Sequence, residues 1–178
     1  MLIADSGYPH RAEHLIWLPG AVEAVRWLNA SGYLVIVVTN QSGVARGYFP
    51  EEAVRWFHDL MAERMMVEGA RIDAFYYCPF HPEAPVERYR TGHAWRKPAP
   101  GMILQAMADW PVRREGSFLI GDRPSDLAAA AAAGIPGFIA DGRSLLEVAR
   151  NAAAAAAQDG GGLSSEPCPS HGHRPEGP

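Results

Sequence analysis

Apolar residues recur along this chain of 178 residues in two alternating patterns. Short continuous apolar runs, of which YLVIVV at 33–38 is the clearest, predict strands that are buried on both faces. Longer segments with an apolar residue every three or four positions predict helices. The predicted strands are 33–38, 74–77, 117–120 and 137–140, and the predicted helices are 21–30, 50–68, 100–109, 126–133 and 144–157.

The alternation of strands and helices predicts the fold class. Parallel strands need crossover connections, and helices usually supply them, so this order favours a parallel sheet with helices on both faces. We therefore expect an α/β fold, a three-layer sandwich with a mostly parallel, Rossmann-like sheet. Residues 1–157 are expected to form one domain. Residues 158–178 are rich in Gly, Ser, Pro and His, and we expect them to be a disordered tail.

Composition and charge exclude several classes of function. The net charge is −4 and no basic tract is visible, so we expect no nucleic-acid partner. No apolar run could span a bilayer and the N-terminus has no signal pattern, so we expect no membrane association. The only cysteines are Cys78 and Cys168, which argues against a disulfide framework and favours the cytoplasm.

Three polar motifs follow or lie between the predicted strands. Thr39-Asn40-Gln41-Ser42-Gly43 follows the first strand, where a hydroxyl and successive backbone N–H groups form an anion-binding concavity. Asp122 follows Gly121 at the end of another strand, and Mg²⁺ is typically held by one or two carboxylates with phosphate oxygens. Arg96-Lys97-Pro98 adds cations. Ligands of open α/β sheets bind at this carboxyl edge.

Each motif also has a purely structural interpretation. The segment 39–43 could be a strand-ending turn whose side chains bond only to the local backbone. Arg96 and Lys97 could be ordinary solvated surface charges. Asp122 could cap the helix that follows, as Ser125 could. The three motifs together are more specific than any one of them.

Their order and spacing resemble the haloacid dehalogenase (HAD) superfamily, in its heptose-bisphosphate and histidinol-phosphate phosphatase branch. The resemblance runs from Leu2 to Ala140 and includes Ile3 to Tyr8, TNQSGVARG at 39–47, Tyr76 to Pro79, Arg96-Lys97-Pro98 and Gly121-Asp122. It implies a phosphatase without a cap domain. Thr39 and Lys97 would be catalytic and Asp122 would bind Mg²⁺. The substrate would be contacted by Asp5, Ser6, Gly7, Tyr8, Thr39, Asn40, Gln41, Ser42, Arg96, Lys97 and Arg123.

One departure from the family pattern concerns the nucleophile. Family members begin with a strand that ends in Asp-x-Asp-Gly-Thr/Val, whose first aspartate attacks phosphorus and whose second protonates the leaving group. Met1 aligns with the Thr/Val position, and Asp5 falls too late to replace either aspartate. We expect a misplaced start, with Met1 standing for a valine codon read as an initiator, and we expect this chain to be inactive by itself.

A second departure concerns zinc. Many relatives carry Cys-x-His and then Cys-x-Cys before Arg-Lys-Pro, and these four side chains hold a structural zinc. Here Cys78 is present, but Phe80, His93 and Trp95 occupy the other ligand positions. Zinc needs four well-placed N or S ligands, so we expect none. We expect prolines and the packing of Phe80, Tyr89 and Trp95 to hold the loop. Cys168, His171 and His173 could bind metal only adventitiously.

The resemblance implies a substrate as well. It favours a Mg²⁺-dependent phosphatase that removes the 7-phosphate of D-glycero-D-manno-heptose 1,7-bisphosphate, for the core of lipopolysaccharide. The alternatives are a histidinol-phosphate phosphatase and a non-catalytic pseudo-phosphatase that binds sugar phosphate. We expect the protein to act as a monomer, because a site without a cap is open.

Overall fold

Helices and strands alternate in the computed structural model, which describes residues 2–159. Their bounds lie within a few residues of the predicted ones. In chain order the elements are a 3-10 turn at Ala12–His14, α1 Ala21–Ala30, β1 Ile36–Asn40, α2 Ser42–Ala45, α3 Glu51–Val67, β2 Ala74–Cys78, a 3-10 turn at Glu87–Tyr89, α4 Gly101–Asp109, β3 Leu119–Gly121, α5 Pro124–Ala133, β4 Gly137–Ile139 and α6 Leu145–Asp159.

Strand β1 differs most from its predicted bounds. The predicted strand begins at Tyr33, but the Tyr33 backbone N–H still donates to Leu28 O at the end of α1, so pairing begins only at Ile36. Pairing then continues through Thr39 and Asn40, which we had expected after the strand. The sequence pattern also missed the short helix α2.

Helix α6 extends to Asp159 and so includes the first two residues of the predicted tail. The remainder of that tail, with Cys168, His171 and His173, lies outside the described residues. No helix within residues 2–159 is long and apolar enough to cross a membrane.

The strands form two parallel pairs. β1 pairs with β2 in the register Ile36 opposite Ala74, and β3 pairs with β4 in the register Leu119 opposite Gly137. Between residues 2 and 159 no strand joins the two pairs, so the predicted sheet is present as two halves. The α/β class and the parallel pairing are confirmed.

Helices cover both faces of the two half-sheets. On one face, Val25 of α1 and Met65 of α3 pack with Val37 of β1, and α6 packs on α1 through Leu145 and small alanine side chains. On the other face, the cluster formed by α4 and α5 contacts Val38 of β1 and Leu119 of β3. Both half-sheets therefore share one helical layer, which gives the expected three-layer sandwich.

The residues before α1 hold the segment 5–15 beside the sheet. Ile3 forms an antiparallel bridge with Trp17, and the Ala4 N–H donates to Ile16 O at 2.8 Å. Leu2 and Trp17 pack into the cores beside α1. These contacts fix both ends of the segment 5–15. They place its first residues, from Asp5 to Tyr8, near the carboxyl ends of the strands.

Candidate active site

The carboxyl ends of β1 and β3 meet at Lys97. Its Nζ donates to Val38 O of β1 at 2.8 Å and lies 2.6 Å from Asp126 Oδ1, in the first turn of α5. The Lys97 side chain is 13% exposed and that of Asp126 is 5% exposed. Lys97 is thus a nearly buried cation that links the two half-sheets at their carboxyl edge.

Asn40 holds the backbone of Lys97. Its Nδ2 donates to Lys97 O and its Oδ1 accepts from the Lys97 N–H, both at 3.0 Å. This pair of bonds uses one N–H group and the carbonyl oxygen of the amide group. Asn40, expected to contact the substrate, is therefore placed to position Lys97.

Asp126 is the side chain at this site to which sequence reasoning gave no role. Its Oδ2 accepts from the N–H groups of Asp122 at 3.1 Å and Arg123 at 3.0 Å, so it caps α5, the role we had weighed for Asp122 or Ser125. Burial alone would raise the pKa of this carboxyl group, but the hydrogen bond and charge of Lys97 outweigh burial and lower it. A carboxylate at the third helical position, with Pro124 at the first, was the available signal.

Gly121 has a steric role beside this carboxylate. A Cβ added at Gly121 would clash with Cβ of Asp126. Glycine therefore lets the end of β3 approach the Asp126 side chain closely. This close contact explains why the Gly121-Asp122 motif has a glycine at its first position.

Asp122 and Arg123 lie at the open side of the site. The Asp122 side chain is 28% exposed, and its Oδ2 lies 3.6 Å from Arg123 Nε. Arg123 Nη2 also lies 3.2 Å from Asp5 Oδ2. Arg123 thus connects Asp122, the candidate metal ligand, to the segment from Asp5 to Tyr8.

That segment is shaped by a local turn. Asp5 Oδ1 accepts from the Gly7 N–H at 2.8 Å, and Gly7 has φ of +87°, a conformation that favours glycine. Ser6 is exposed, and the Tyr8 ring packs edge to face on Tyr48 with centroids 4.8 Å apart. The turn presents Asp5, Gly7 and Tyr8 to the same cavity as the strand ends.

The segment after β1 lines the site with hydroxyl and amide groups. Thr39 Oγ1 accepts from Gln41 Nε2 at 3.3 Å, and Ser42 begins α2. Thr39, Gln41 and Ser42 all border the cavity that Lys97 and Asp122 also line. The structure therefore brings the three predicted motifs together.

The loop that carries Arg96 is held by aromatic packing. Phe80 stacks on His93 with centroids 4.6 Å apart and meets Tyr89 edge to face, and Trp95 contacts His93 and Tyr76. The predicted packing of Phe80, Tyr89 and Trp95 is confirmed. Arg96 Nη1 donates to Phe80 O at 3.1 Å, so this packing positions the guanidinium group.

The positions that correspond to zinc ligands contain no cluster of ligands. Among residues 2–159, no group of three or more His, Cys, Asp or Glu side chains could hold a metal ion. Cys78 is fully buried, and its burial raises the pKa of the thiol. The loop thus presents aromatic rings of Phe80, His93 and Trp95 at these positions.

A positive rim formed by Arg46 and Arg96 lies beside this loop, near His81. Burial, and then the charges of Arg96 and Arg46, lower the pKa of His81. Sequence reasoning gave Arg46 no role of its own within the motif 39–47, and it considered His81 only as a zinc-ligand candidate one position out of place. Together with Lys97, these groups favour a ligand that carries more than one negative charge.

Comparison with known proteins agrees with this arrangement. A relative from Rhodopseudomonas palustris, named D-glycero-beta-D-manno-heptose-1,7-bisphosphate 7-phosphatase, is 49% identical over 138 residues, which are 78% of this chain and 77% of the relative. A relative from Burkholderia mallei is named D-glycero-alpha-D-manno-heptose-1,7-bisphosphate 7-phosphatase. It is 43% identical over 131 residues, which are 74% of this chain and 69% of the relative. The chain belongs to this phosphatase family.

The wider superfamily is supported as well. The HAD-hydrolase-like family model matches residues 94–157. A crystal structure of the D,D-heptose 1,7-bisphosphate phosphatase from B. bronchiseptica, complexed with magnesium and phosphate, is 28% identical with a TM-score of 0.72, over 85% of this chain and 92% of that one. A HAD-like phosphatase from Mesorhizobium loti has a TM-score of 0.77 at 28% identity, over 88% and 81% of the two chains. By family, the protein is a phosphatase.

Proposed function

We propose that this phosphatase removes the 7-phosphate of D-glycero-D-manno-heptose 1,7-bisphosphate in a reaction that needs Mg²⁺. The observation that carries the proposal is the convergence of Thr39, Lys97 and Asp122 at one edge of the sheet. A hydroxyl group, a nearly buried cation and a carboxylate are the groups that position a phosphoryl group and stabilise its charge.

The residues present suit magnesium. Mg²⁺ is usually held by one or two carboxylates together with substrate phosphate oxygens and water, and Asp122 supplies a partly exposed carboxylate beside Lys97. When bound, the ion would neutralise charge that develops on the phosphoryl oxygens. Asp126 serves a different purpose, since Lys97 and two backbone N–H groups occupy its oxygens.

The remaining site residues have separate roles. Thr39 Oγ1 and Lys97 Nζ would bind the transferring phosphoryl group, and Asn40 would hold Lys97 in place. Gln41, Ser42 and the segment from Asp5 to Tyr8 would line the sugar pocket, with Arg123 holding Asp5 at its border.

The positive rim supports a bisphosphate as the substrate. Arg46 and Arg96 act together on His81 on the loop side of the site, apart from the Lys97–Asp126 pair. A second phosphate group would be received there. We expect Arg46→Gln to weaken binding of the bisphosphate and to leave binding of the monophosphate unchanged, as measured by calorimetry.

We also propose that the protein acts as a cytoplasmic monomer on this small molecule, without nucleic acid or membrane. The net charge of −4 and the buried, unpaired Cys78 support this assignment. Sedimentation at two concentrations tests the oligomeric state.

Phosphate release tests the proposed reaction. Both anomers of the bisphosphate, and histidinol phosphate as the competing substrate, are assayed with and without Mg²⁺. Because the resemblance assigns the nucleophile to an Asp-x-Asp strand, the chain is assayed with and without such a strand fused before Leu2. We expect phosphate release only from the fused protein and only when Mg²⁺ is present. Release from the heptose bisphosphate should be faster than release from histidinol phosphate. Family-like turnover without the strand would contradict the assignment of the nucleophile.

Asp122→Ala in the fused protein tests the metal ligand. We expect Mg²⁺-dependent release to be lost, because no other carboxylate is placed as openly at the end of β3. Asp59→Ala, which removes an exposed carboxylate on α3, is the matched control and should keep its activity. Binding of the bisphosphate without release would favour the non-catalytic alternative.

A further inference from the structure

The carboxylate of Glu51 binds two tyrosines at the start of α3. Tyr77 of β2 donates its hydroxyl group to Glu51 Oε2 at 2.8 Å, and Tyr89 of the loop 78–100 donates to Glu51 Oε1 at 2.7 Å. Arg55, one turn further along α3, donates to the Tyr77 hydroxyl oxygen at 3.2 Å. Each carboxylate oxygen binds a different part of the chain, so Glu51 connects α3 both to β2 and to the loop.

This arrangement keeps Glu51 charged and Tyr89 a donor. Burial alone would raise the pKa of Glu51, but the hydrogen bonds from Tyr89 and Tyr77 outweigh burial and lower it. Burial, and then the hydrogen bond to Glu51, raise the pKa of Tyr89 to about 12. A hydrogen bond to an ionised acceptor is roughly twice as strong as one between neutral groups. The contact between Glu51 and Tyr89 is therefore a strong one.

The ring of Tyr89 is buried between the loop and the helices. Tyr89 is 6% exposed and packs in one apolar cluster with Val44, Phe49 and Val54. A hydroxyl group taken into such a cluster needs a hydrogen-bond partner, because burying it unpaired costs free energy. Glu51 supplies that partner and so fixes where the ring of Tyr89 can lie.

Tyr89 in turn holds the residues that orient Arg96. Its carbonyl oxygen accepts from the His81 N–H at 3.0 Å, and its ring meets the Phe80 ring edge to face. Phe80 O then accepts from Arg96 Nη1 at 3.1 Å. Arg96 lines the same cavity as the three predicted motifs. A continuous series of contacts therefore leads from Glu51 to a cation of the active site.

The same loop contacts the end of α2, next to Arg46. The Val86 N–H donates to Ala45 O at 3.3 Å, and Arg46 is the next residue in the chain. The loop thus contacts Arg96 directly and Arg46 through its neighbour, and these two arginines form the positive rim. A shift of the loop would change the spacing between the rim and Lys97.

We propose that Glu51 is a positioning residue for the second phosphate group of the substrate. By fixing Tyr89, it sets the distance between the positive rim and Lys97, and so favours a bisphosphate over a monophosphate. Glu51 would act through Tyr89 and Arg96 rather than by touching the substrate. This role rests on the proposed function, since it takes the heptose bisphosphate as the ligand.

Two variants disturb this contact without removing a ring. Tyr89→Phe loses only the hydroxyl group and keeps the ring that packs on Phe80. Glu51→Gln keeps the shape of the side chain, but its NH₂ group cannot accept from the second tyrosine. Glu52→Gln is the matched control, because Glu52 is the next residue of α3, is 74% exposed and bonds to Arg55 rather than to the tyrosines.

Calorimetry of the full chain with Mg²⁺ measures the preference for the bisphosphate. The second ligand is the heptose 7-phosphate, which lacks the other phosphate group. We expect the wild type and Glu52→Gln to prefer the bisphosphate. In Tyr89→Phe and Glu51→Gln the bisphosphate should bind about fivefold more weakly, equivalent to about 1 kcal/mol, with binding of the 7-phosphate unchanged. Equal weakening of both ligands would indicate a purely structural role and overturns the inference.

Hydrogen exchange without ligand locates the effect in the loop. The amides of His81 and Val86 should exchange faster in both variants than in the wild type and Glu52→Gln. Unchanged exchange, or an unchanged preference for the bisphosphate in both variants, overturns the role of Glu51 and leaves the proposed function intact. A wild type that binds the two ligands equally overturns both, since a second phosphate group would then have no site.

Discussion

The active site is bordered by two regions that are packed in different ways. In the loop 78–100, a continuous chain of aromatic contacts runs from Tyr89 through Phe80 and His93 to Trp95, and it supports Arg96. Between β1 and β3, apolar side chains line a cavity of about 840 Å³ instead. The loop is closed by side chains, whereas the sheet is left in two halves.

The difference shows which structural elements side chains can replace. Apolar attraction has no preferred direction, so rings of suitable size can hold a loop without a metal ion. A strand edge presents N–H and C=O groups in fixed positions, and only polar groups in register can satisfy them. At this edge Lys97 satisfies one carbonyl group, that of Val38.

The largest loss of stability is expected for Lys97→Met, at the carboxyl end of the cavity. Lys97→Met leaves Asp126 buried without its cation, and removing one partner of a buried pair costs about 3–5 kcal/mol. Urea unfolding measures this loss of stability. Arg143→Met is the control, because Arg143 and Asp141 are about half exposed and such surface pairs contribute little to stability. Similar losses in both variants would mean that water solvates Asp126 from the cavity.

The next effect concerns His58, whose ring lies in the cavity wall and stacks on Phe75. Burial lowers the pKa of His58 to about 4, from 6.5. Between these values the unfolded chain binds a proton and the folded chain does not, so stability decreases as pH falls from 6.5 to 4. The slope is at most about 1.4 kcal/mol per pH unit.

Urea unfolding at several pH values checks this dependence in the wild type and in His58→Phe. We expect the variant to show a flatter profile over the same range, since it cannot bind the proton. An unchanged slope would mean that other groups cause the pH dependence.

A smaller effect is expected in the loop. Phe80→Ala removes the central ring of the aromatic chain, and we expect a loss of about 2 kcal/mol, below the 3–5 kcal/mol of a fully buried Phe, because Phe80 is half-buried. Thermal unfolding measures it, with the exposed Trp56→Ala as the control. A chelator should leave the melting temperature of the wild type unchanged, and a decrease would indicate that metal helps to hold the loop.

The smallest effect on stability is expected for Arg123→Gln. The ion pair between Arg123 and Asp5 is well exposed, so its loss should cost less than about 1 kcal/mol. Binding of the bisphosphate should nevertheless weaken, because Arg123 holds the segment from Asp5 to Tyr8 beside the strands. A large loss of stability with unchanged binding would contradict this role.

Local patterns predicted most of the fold. Helices α1, α3 and α4 lie where apolar periodicity placed them, because a helix depends on residues three and four positions apart. The start of β1 was misplaced because the end of α1 still binds the Tyr33 N–H, a contact that apolar runs do not encode. The missed Asp126 shows the same limit, since its function depends on a partner 29 positions away, Lys97.

The sequence by itself determined the element types, the α/β class and the three motifs that supply hydroxyl, cation and carboxylate. Residue type and spacing along the chain decide such properties. Only the tertiary structure decided that Asn40 positions Lys97, that Asp126 is its buried partner and that a cavity separates β1 from β3. These features depend on distances between segments far apart in sequence, which are set by packing of the whole chain.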